Sequence, residues 1–176
     1  MGAIVFILKF DPKDIHHWAG RYPIDTDYDV ENVIAPQVRE RGYFTKPELV
    51  MICRWKTPRS KKLVASNEDG FIEDGTRIAL STPNERLRIE VLTLLAGVGW
   101  PTASVLLHFG HSERYPILDF RALWSLGIEK PPDFYVFSFW WQYTQYCRQM
   151  ATKTGVTMRI LDRALWQYSD ENQEKA

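Results

Sequence analysis

Cysteine is scarce in this 176-residue chain: Cys53 and Cys147 are the only two, each alone in its segment. Neither a four-thiolate iron–sulfur centre nor a zinc ribbon can be assembled from them, so both are expected to be buried thiols. An excess of charge is lacking as well, since 22 Lys and Arg balance 22 Asp and Glu to a formal net charge of zero. A polyanionic partner therefore has to be argued from local patches rather than from the whole chain. Long apolar runs are also missing. The opening Met1-Gly2-Ala3-Ile4-Val5-Phe6-Ile7-Leu8 is apolar, but Lys9 cuts it far short of a membrane span. It carries no basic leader and no small-residue cleavage site, and Phe6 stands where a myristoylation signal wants Ser or Thr. The expectation is a cytoplasmic protein with no membrane association. No internal repeat or low-complexity linker divides the chain.

What is present is an ordinary globular composition, 45% hydrophobic and 25% charged, with an aromatic share of 14% that implies a ring-rich core. Residues 1–8 read as a short strand or a tucked apolar arm, and Asp11 to Tyr28 as loop with one helical turn. From Asp29 the spacing of Val30, Val33, Ile34 and Val38 predicts an amphipathic helix, kinked or broken at Pro36 and stopped by Gly42. Thr45-Lys46-Pro47-Glu48 and Thr82-Pro83-Asn84-Glu85 both follow the capping-box pattern with Pro in the first turn. Ser60 to Ala65 continues as helix, whereas Asn67-Glu68-Asp69-Gly70 and Glu73-Asp74-Gly75 read as turns. Asp133 is a candidate cap for the ring-rich helix around Trp140 and Trp141. Gly155 ends that helix, and Met158 to Tyr168 form a last amphipathic helix before a polar tail, Asp170 to Ala176. The sum is an all-α fold of about six to eight helices. The chain is read as a single compact unit, or as two lobes: residues 1–44 with 133–176, and residues 45–132.

The most informative stretch is Leu94-Leu95-Ala96-Gly97-Val98-Gly99-Trp100-Pro101-Thr102-Ala103. An apolar helix runs into Gly-Val-Gly, and a second helix starts at once with Pro101 in its first turn. The two glycines permit a tight reversal, with Val98 plugging inward. The second helix then presents its unpaired amides and positive dipole end outward, where a phosphate is the natural occupant. A sugar-phosphate strand can approach glycine closely, which holds a nucleic acid without reading its sequence. A glycine turn that merely reverses the chain explains the same residues. Further on, Tyr115-Pro116-Ile117-Leu118-Asp119 places a carboxylate at a helix start, after an extended apolar approach.

Together these segments resemble the helix-hairpin-helix DNA glycosylase superfamily. Its hairpin has the form Leu-x-Gly-Val-Gly-x-Lys-Thr-Ala, followed by a catalytic aspartate after a short apolar approach. Leu95 to Ala103 match position by position except at the lysine, which is Pro101, and Asp119 stands 18 residues beyond it. The resemblance is sharp over Leu94 to Gly127 and only loosely helical elsewhere. It implies an α-helical DNA-binding protein whose Gly97, Val98, Gly99, Trp100, Pro101, Thr102 and Ala103 hold the backbone of duplex or damaged DNA. It implies no organic cofactor and no metal built from side chains, with a monovalent cation at the hairpin carbonyls as a further family feature. Family members that cut the strand use the lysine amine to form a Schiff base, and Pro101 has no amine to offer. What the resemblance leaves is a monofunctional N-glycosylase, with Asp119 polarising a water or stabilising positive charge on the sugar. Phe120-Arg121 replaces the Thr-His that often follows the aspartate, and Asp119 also reads as a plain N-cap worth about 1 kcal/mol.

Other groups carry weaker signals. Arg54, Lys56, Arg59, Lys61 and Lys62 crowd into nine residues around Trp55, which suits a run of phosphates or a solvated helix end, and Arg121 is a further candidate contact. Arg159 and Arg163 lie one turn apart and are expected to pair with acids. His108 and His111 are separated by the helix-breaking Gly110, which argues against a shared metal, and His16-His17 read as surface residues. The rings near Trp140 read as core packing, with the wall of a pocket for an extruded base as the alternative. Two rivals stand beside the enzyme: a non-catalytic helix-hairpin-helix module that binds nucleic acid or protein, and a helical protein with no nucleic-acid role.

Overall fold

The computed structural model describes residues 2–111 and 114–174, and among these the chain is all-α, with no strand. The helices of the N-terminal half are α1 (Ile15–Arg21), α2 (Ala35–Arg41), α3 (Lys46–Lys56), α4 (Lys61–Ala65), α5 (Asp69–Ser81) and α6 (Glu85–Glu90). Those of the C-terminal half are α7 (Trp100–Gly110), α8 (Phe120–Ser125), α9 (Phe137–Thr154) and α10 (Met158–Asn172). These ten exceed the six to eight expected because several are single or double turns between longer elements. The chain divides into two compact units: a terminal one, Met1–Pro23 with Arg114–Ala176, and a central one, Ile24–Glu113. The lobe boundaries drawn from the sequence stood elsewhere, after residues 44 and 132.

In the central unit α7 is the core helix. It is apolar on all sides, every residue from Thr102 to Gly110 is buried, and α2, α3, α5 and α6 pack around it, as an all-apolar helix requires. Its last residue, Gly110, lies so close to Phe44 that a Cβ there would stand 2.7 Å from the ring. Pro36 is accommodated without a break because the preceding turn, Val30–Ile34, is π-helical and the Ala35 N–H reaches back to Val30 O. Gly42 stops α2 in the left-handed region at φ 84°.

The Thr45 capping box forms as expected: Glu48 accepts from the Thr45 N–H at 2.8 Å and also pairs with Arg41. Burial by itself would raise the Glu48 carboxyl, but the bonds from Arg41 and Thr45 outweigh it and hold the group below its usual range. The second expected box does not form. Thr82 instead ends α5, and the cap of α6 is Asn84, which accepts from Leu87 N–H at 3.0 Å. Glu85 turns to Arg88, a buried guanidinium that also donates to Ala79 O at 2.7 Å and to Thr82 O. The turns expected at Gly70 and Gly75 are also absent, since α5 runs through both. Its buried Ile72, Thr76 and Ala79 supply an apolar stripe, and Gly75 faces the Leu95 side chain, 3.9 Å from where a Cβ would stand.

In the terminal unit α10 is the hub, packed on α1, α8 and α9. Segment 11–28 holds more helix than the one turn expected, because α1 lays Ile15 and Trp18 onto α10. Residues 2–8 are the arm rather than a strand: Ile7 and Lys9 donate to Leu126 O and Ser125 O, each at 2.9 Å. Gly127, at φ 82°, lets the arm pass, with Ile7 O only 3.4 Å from its would-be Cβ. Phe6 is thereby buried among Phe139, Tyr143 and Tyr146, with ring centroids 5.3 to 6.3 Å away. The ring-rich helix α9 starts at Phe137, not at Asp133. Asp133 and Phe134 are exposed in the preceding loop, and Trp140 is fully buried in a stack on Tyr115 at 5.8 Å. Gly155 ends α9 in the left-handed region. The last helix continues into the expected tail as far as Asn172, while Lys175 and Ala176 lie outside the described residues. Both cysteines are free and buried, and burial pushes the Cys53 thiol up to about 11. No helix among the described residues is long and apolar enough to cross a membrane.

Phe6→Ala removes the arm's only buried ring and leaves a void among three others. Stability in urea is expected to fall by about 3 kcal/mol, read from the unfolding midpoint at unchanged m-value. A fall below about 0.5 kcal/mol would show that the arm carries no packing energy.

Candidate nucleic-acid interface

The hairpin begins sooner than its apolar pattern predicts. Helix α6 ends at Glu90, and Val91–Leu94 form a tight 3-10 turn that delivers the chain to Leu95. Leu95 and Val98 are buried, and the Val98 N–H closes the turn onto Leu95 O at 3.0 Å. Val98 thus plugs inward as expected. Gly97 adopts φ 80°, where a side chain would be strained, and its would-be Cβ lies 2.9 Å from both Leu63 Cβ and Val64 Cγ2 of α4. Glycine at this position serves a close helix-to-turn approach inside the unit. Gly99 has a different task. Its backbone is extended (φ −90°, ψ 177°), it caps α7, and its carbonyl accepts the first bond of the helix from Ala103 N–H at 2.8 Å.

The tip lies at the surface: Ala96 and Gly99 are exposed, and Gly97, Trp100 and Pro101 are half-buried. Val98, Thr102 and Ala103 are buried, so among the seven hairpin candidates these three can offer only backbone. Pro101 has no N–H and takes the first-turn place where none is needed. The Gly99 cap and the Trp100-Pro101 start of α7 therefore reach solvent at the positive end of an eleven-residue helix, while Thr102 and Ala103 of the same turn are buried.

One side chain that sequence reasoning passed over as part of a turn holds this corner. Asn67, buried after the end of α4, accepts from Ala96 N–H at 2.8 Å and donates to Ala96 O at 3.0 Å. Its second amide hydrogen goes to Val64 O at 2.9 Å. The carboxamide pairs with the Ala96 peptide as a neighbouring strand would, across 29 residues of sequence. No local pattern marks such a contact.

The basic segment reaches the same corner. Arg54, Arg59, Lys61 and Lys62 are exposed and Lys56 is half-buried. The Thr57 hydroxyl lies 3.3 Å from that of Thr102 in the first turn of α7. Arg121, by contrast, belongs to the terminal unit, pairs with Asp170 at 3.1 Å and stacks over Trp166 at 4.9 Å. Arg159 pairs with Asp162 at 2.5 Å. His108 is buried edge-on to Phe109 at 4.8 Å, and His16 and His17 are exposed on α1. No group of three or more His, Cys, Asp or Glu among the described residues could hold a metal ion.

Asp119 also lies in the terminal unit. It caps α8 by accepting from Arg121 N–H at 2.9 Å and is half-buried. The approach to it, Tyr115 to Leu118, is buried and pinned by Tyr143, whose hydroxyl donates to Ile117 O at 2.8 Å. Burial raises the Tyr135 phenol and the Asp119 charge adds to it, so the carboxylate lies within electrostatic reach of that ring. Tyr143 is raised well above its ordinary value, chiefly by burial and further by Cys147, Asp162 and Asp119.

Comparison with solved structures finds a likeness to a Methanocaldococcus jannaschii 8-oxoguanine glycosylase/lyase in complex with 15-mer DNA containing 8-oxoguanine. The TM-score is 0.52 at 15% sequence identity, over 95% of this chain and 85% of that one. The chain has a DNA glycosylase-like fold. No family model matches it, and no curated protein matches it. As for the cation that the fold family implies, the hairpin carbonyls are hard, neutral donors of the right chemistry. Leu95 O, Ala96 O and Gly99 O each already accept one hydrogen bond, from Val98, Asn67 and Ala103.

Asn67→Ala deletes the two hydrogen bonds to Ala96 of the hairpin together with those to Leu63 O and Val64 O of α4. A loss of about 2 kcal/mol is expected, measured as a lowered thermal midpoint. An unchanged midpoint would mean that the clamp contributes nothing.

Proposed function

We propose that this protein binds the sugar-phosphate backbone of DNA through the Gly97–Ala103 hairpin and removes a base by hydrolysing its N-glycosidic bond, with Asp119 as the catalytic carboxylate. The observation that carries the reading is the exposed Gly99 cap on α7, in a chain whose fold is like that of a DNA-bound glycosylase. The hairpin supplies donors and dipole to a phosphate without reading bases. Asp119 is held in place by its cap bond to Arg121 N–H. It either orients a water onto the anomeric carbon or stabilises the positive charge that builds on the sugar as the base departs with the bonding pair. The water oxygen ends on the sugar, and its proton is the one the base takes up.

Pro101 makes this chain monofunctional in our reading: with no amine at that place, the Schiff-base route to strand cleavage is closed. The substrate in this reading is duplex DNA with a damaged base, and the compartment is the cytoplasm. A second reading, a binding module without catalysis, is favoured by the fact that the cap bond to Arg121 N–H alone accounts for an aspartate at position 119.

Two measurements test these readings. Duplex affinity is expected to fall steeply with added salt, as release of condensed counterions requires, and Gly99→Asp to abolish binding. That variant folds, because a Cβ at Gly99 meets only Pro101 Cδ at 3.8 Å and aspartate is itself a favoured helix cap; only the new charge opposes the phosphate. Binding that ignores both salt and this substitution removes the DNA reading. For catalysis, Asp119→Asn retains the cap, since asparagine serves there equally well. Base release from a panel of damaged duplexes is expected to vanish while duplex affinity persists. Absence of release from every lesion by the parent protein leaves the binding module.

A further inference from the structure

The zero net charge of the chain conceals an uneven distribution inside the central unit. Arg41, Lys46, Arg77, Arg86 and Arg88 each pair with an acid: Glu48, Asp69, Asp74, Glu90 and Glu85 respectively. Arg54, Arg59, Lys61 and Lys62 make no ion pair among the described residues and are exposed. Arg39 on α2 is the other exposed basic side chain of the unit in that condition. The nine residues from Arg54 to Lys62 contain no acid. The acids nearest in the chain are Glu48, already paired with Arg41, and the exposed Glu68, followed by Asp69, paired with Lys46. Asp29 and Arg54 line one open groove with Val30, Met51 and Trp55.

The uncompensated charge is built against the hairpin. Helix α4 carries Lys61 and Lys62 at its start, and with Leu63 and Val64 it forms the wall on which Gly97 rests, those side chains lying 2.9 Å from where a Gly97 Cβ would stand. Asn67, just beyond its end, grips both polar atoms of the Ala96 peptide. Thr57, ahead of the Pro58–Ser60 turn that holds Arg59, meets Thr102 of α7. Three separate contacts therefore make the basic corner and the glycine turn one continuous surface within one unit.

We infer that Arg59, Lys61 and Lys62 carry a second run of phosphates on the same duplex DNA that the hairpin holds, so that the anchor at Gly99 is one end of a longer backbone track. The inference rests on the hairpin reading and adds to it which residues supply the electrostatic share of binding. Three exposed cations without acids beside an amide anchor suit a polyanion with regularly spaced charges, and side chains this long suit backbone contact rather than base readout. Asn67 is a positioning residue in this arrangement, because it keeps the corner and the turn in register.

The test uses the full chain carrying Arg59→Gln, Lys61→Gln and Lys62→Gln together, titrated onto unmodified duplex DNA across a salt series. Each lost phosphate contact reduces the slope of log affinity against log salt by about 0.9. The triple variant should therefore bind with a slope shallower by about 2 to 3, and at least tenfold more weakly at low salt, with its thermal midpoint unchanged. Arg39→Gln is the control for charge loss alone: it lies on α2, which leads to Phe44 at the Gly110 end of α7, and the slope should not move. A slope unchanged in the triple variant, or reduced as much per charge by Arg39→Gln, overturns the inference. Loss of binding in Gly99→Asp beside an unchanged triple variant keeps the hairpin reading and sinks this one. Indifference of binding to both sinks the two together.

Discussion

The hairpin depends on one close approach, that of the Gly97 backbone to the wall of α4. A methyl group at Gly97 would collide with Leu63 and Val64 at 2.9 Å, and the contact that glycine permits brings Ala96 within reach of the Asn67 carboxamide. Everything proposed for the surface follows from that seating: the solvent-accessible start of α7, the exposed Gly99 cap, and the adjacency of the basic corner. The two glycines of the motif consequently do different work. Gly97 is needed for its positive φ and its missing Cβ, whereas Gly99 has ordinary backbone angles and open space around it. A reading in which both glycines simply admit a phosphate strand would miss this division.

The seating in turn depends on the core. Helix α7 is buried along its whole length after the first turn, and the hairpin is the entrance to that helix, so the corner is continuous with the hydrophobic centre of the unit. A helix end on a loosely packed element would move relative to any basic neighbour. Here the amide anchor, α4 and the Asn67 clamp share one set of packing contacts, which suits a site that holds a backbone by position rather than by chemistry specific to a base.

In the terminal unit the same economy of residues appears at Asp119. A single side chain starts α8 at the end of the buried Tyr115–Leu118 approach, and its half-buried carboxylate lies within electrostatic reach of the Tyr135 phenol. An N-cap bond worth about 1 kcal/mol is enough to explain the residue structurally, and it is also a means of holding a carboxylate still. Structural and catalytic roles are compatible here, because a carboxylate has more acceptor positions than one backbone N–H can use.

The sequence by itself determined the helical class, the place of the glycine turn, the inward Val98, the Thr45 capping box and the aspartate at a helix start. Each depends on residues within four or five positions of one another, where periodicity and capping chemistry act directly. Where local rules competed, tertiary contacts chose. Asn84 rather than Thr82 caps α6 because buried Arg88 takes Thr82 O into the C-terminal cap of α5 and pairs with Glu85. Helix α5 runs through Gly70 and Gly75 because its apolar stripe is buried and Gly75 receives Leu95. Only the tertiary structure decided that the N-terminal run is an arm pinned at Phe6, that Asn67 clamps the hairpin, and that Lys61 and Lys62 share the hairpin's wall while Arg121 is engaged by Asp170 and Trp166. Those pairings span roughly thirty to more than a hundred positions of chain, and a side chain's reach across such a gap is set by packing that no local pattern records.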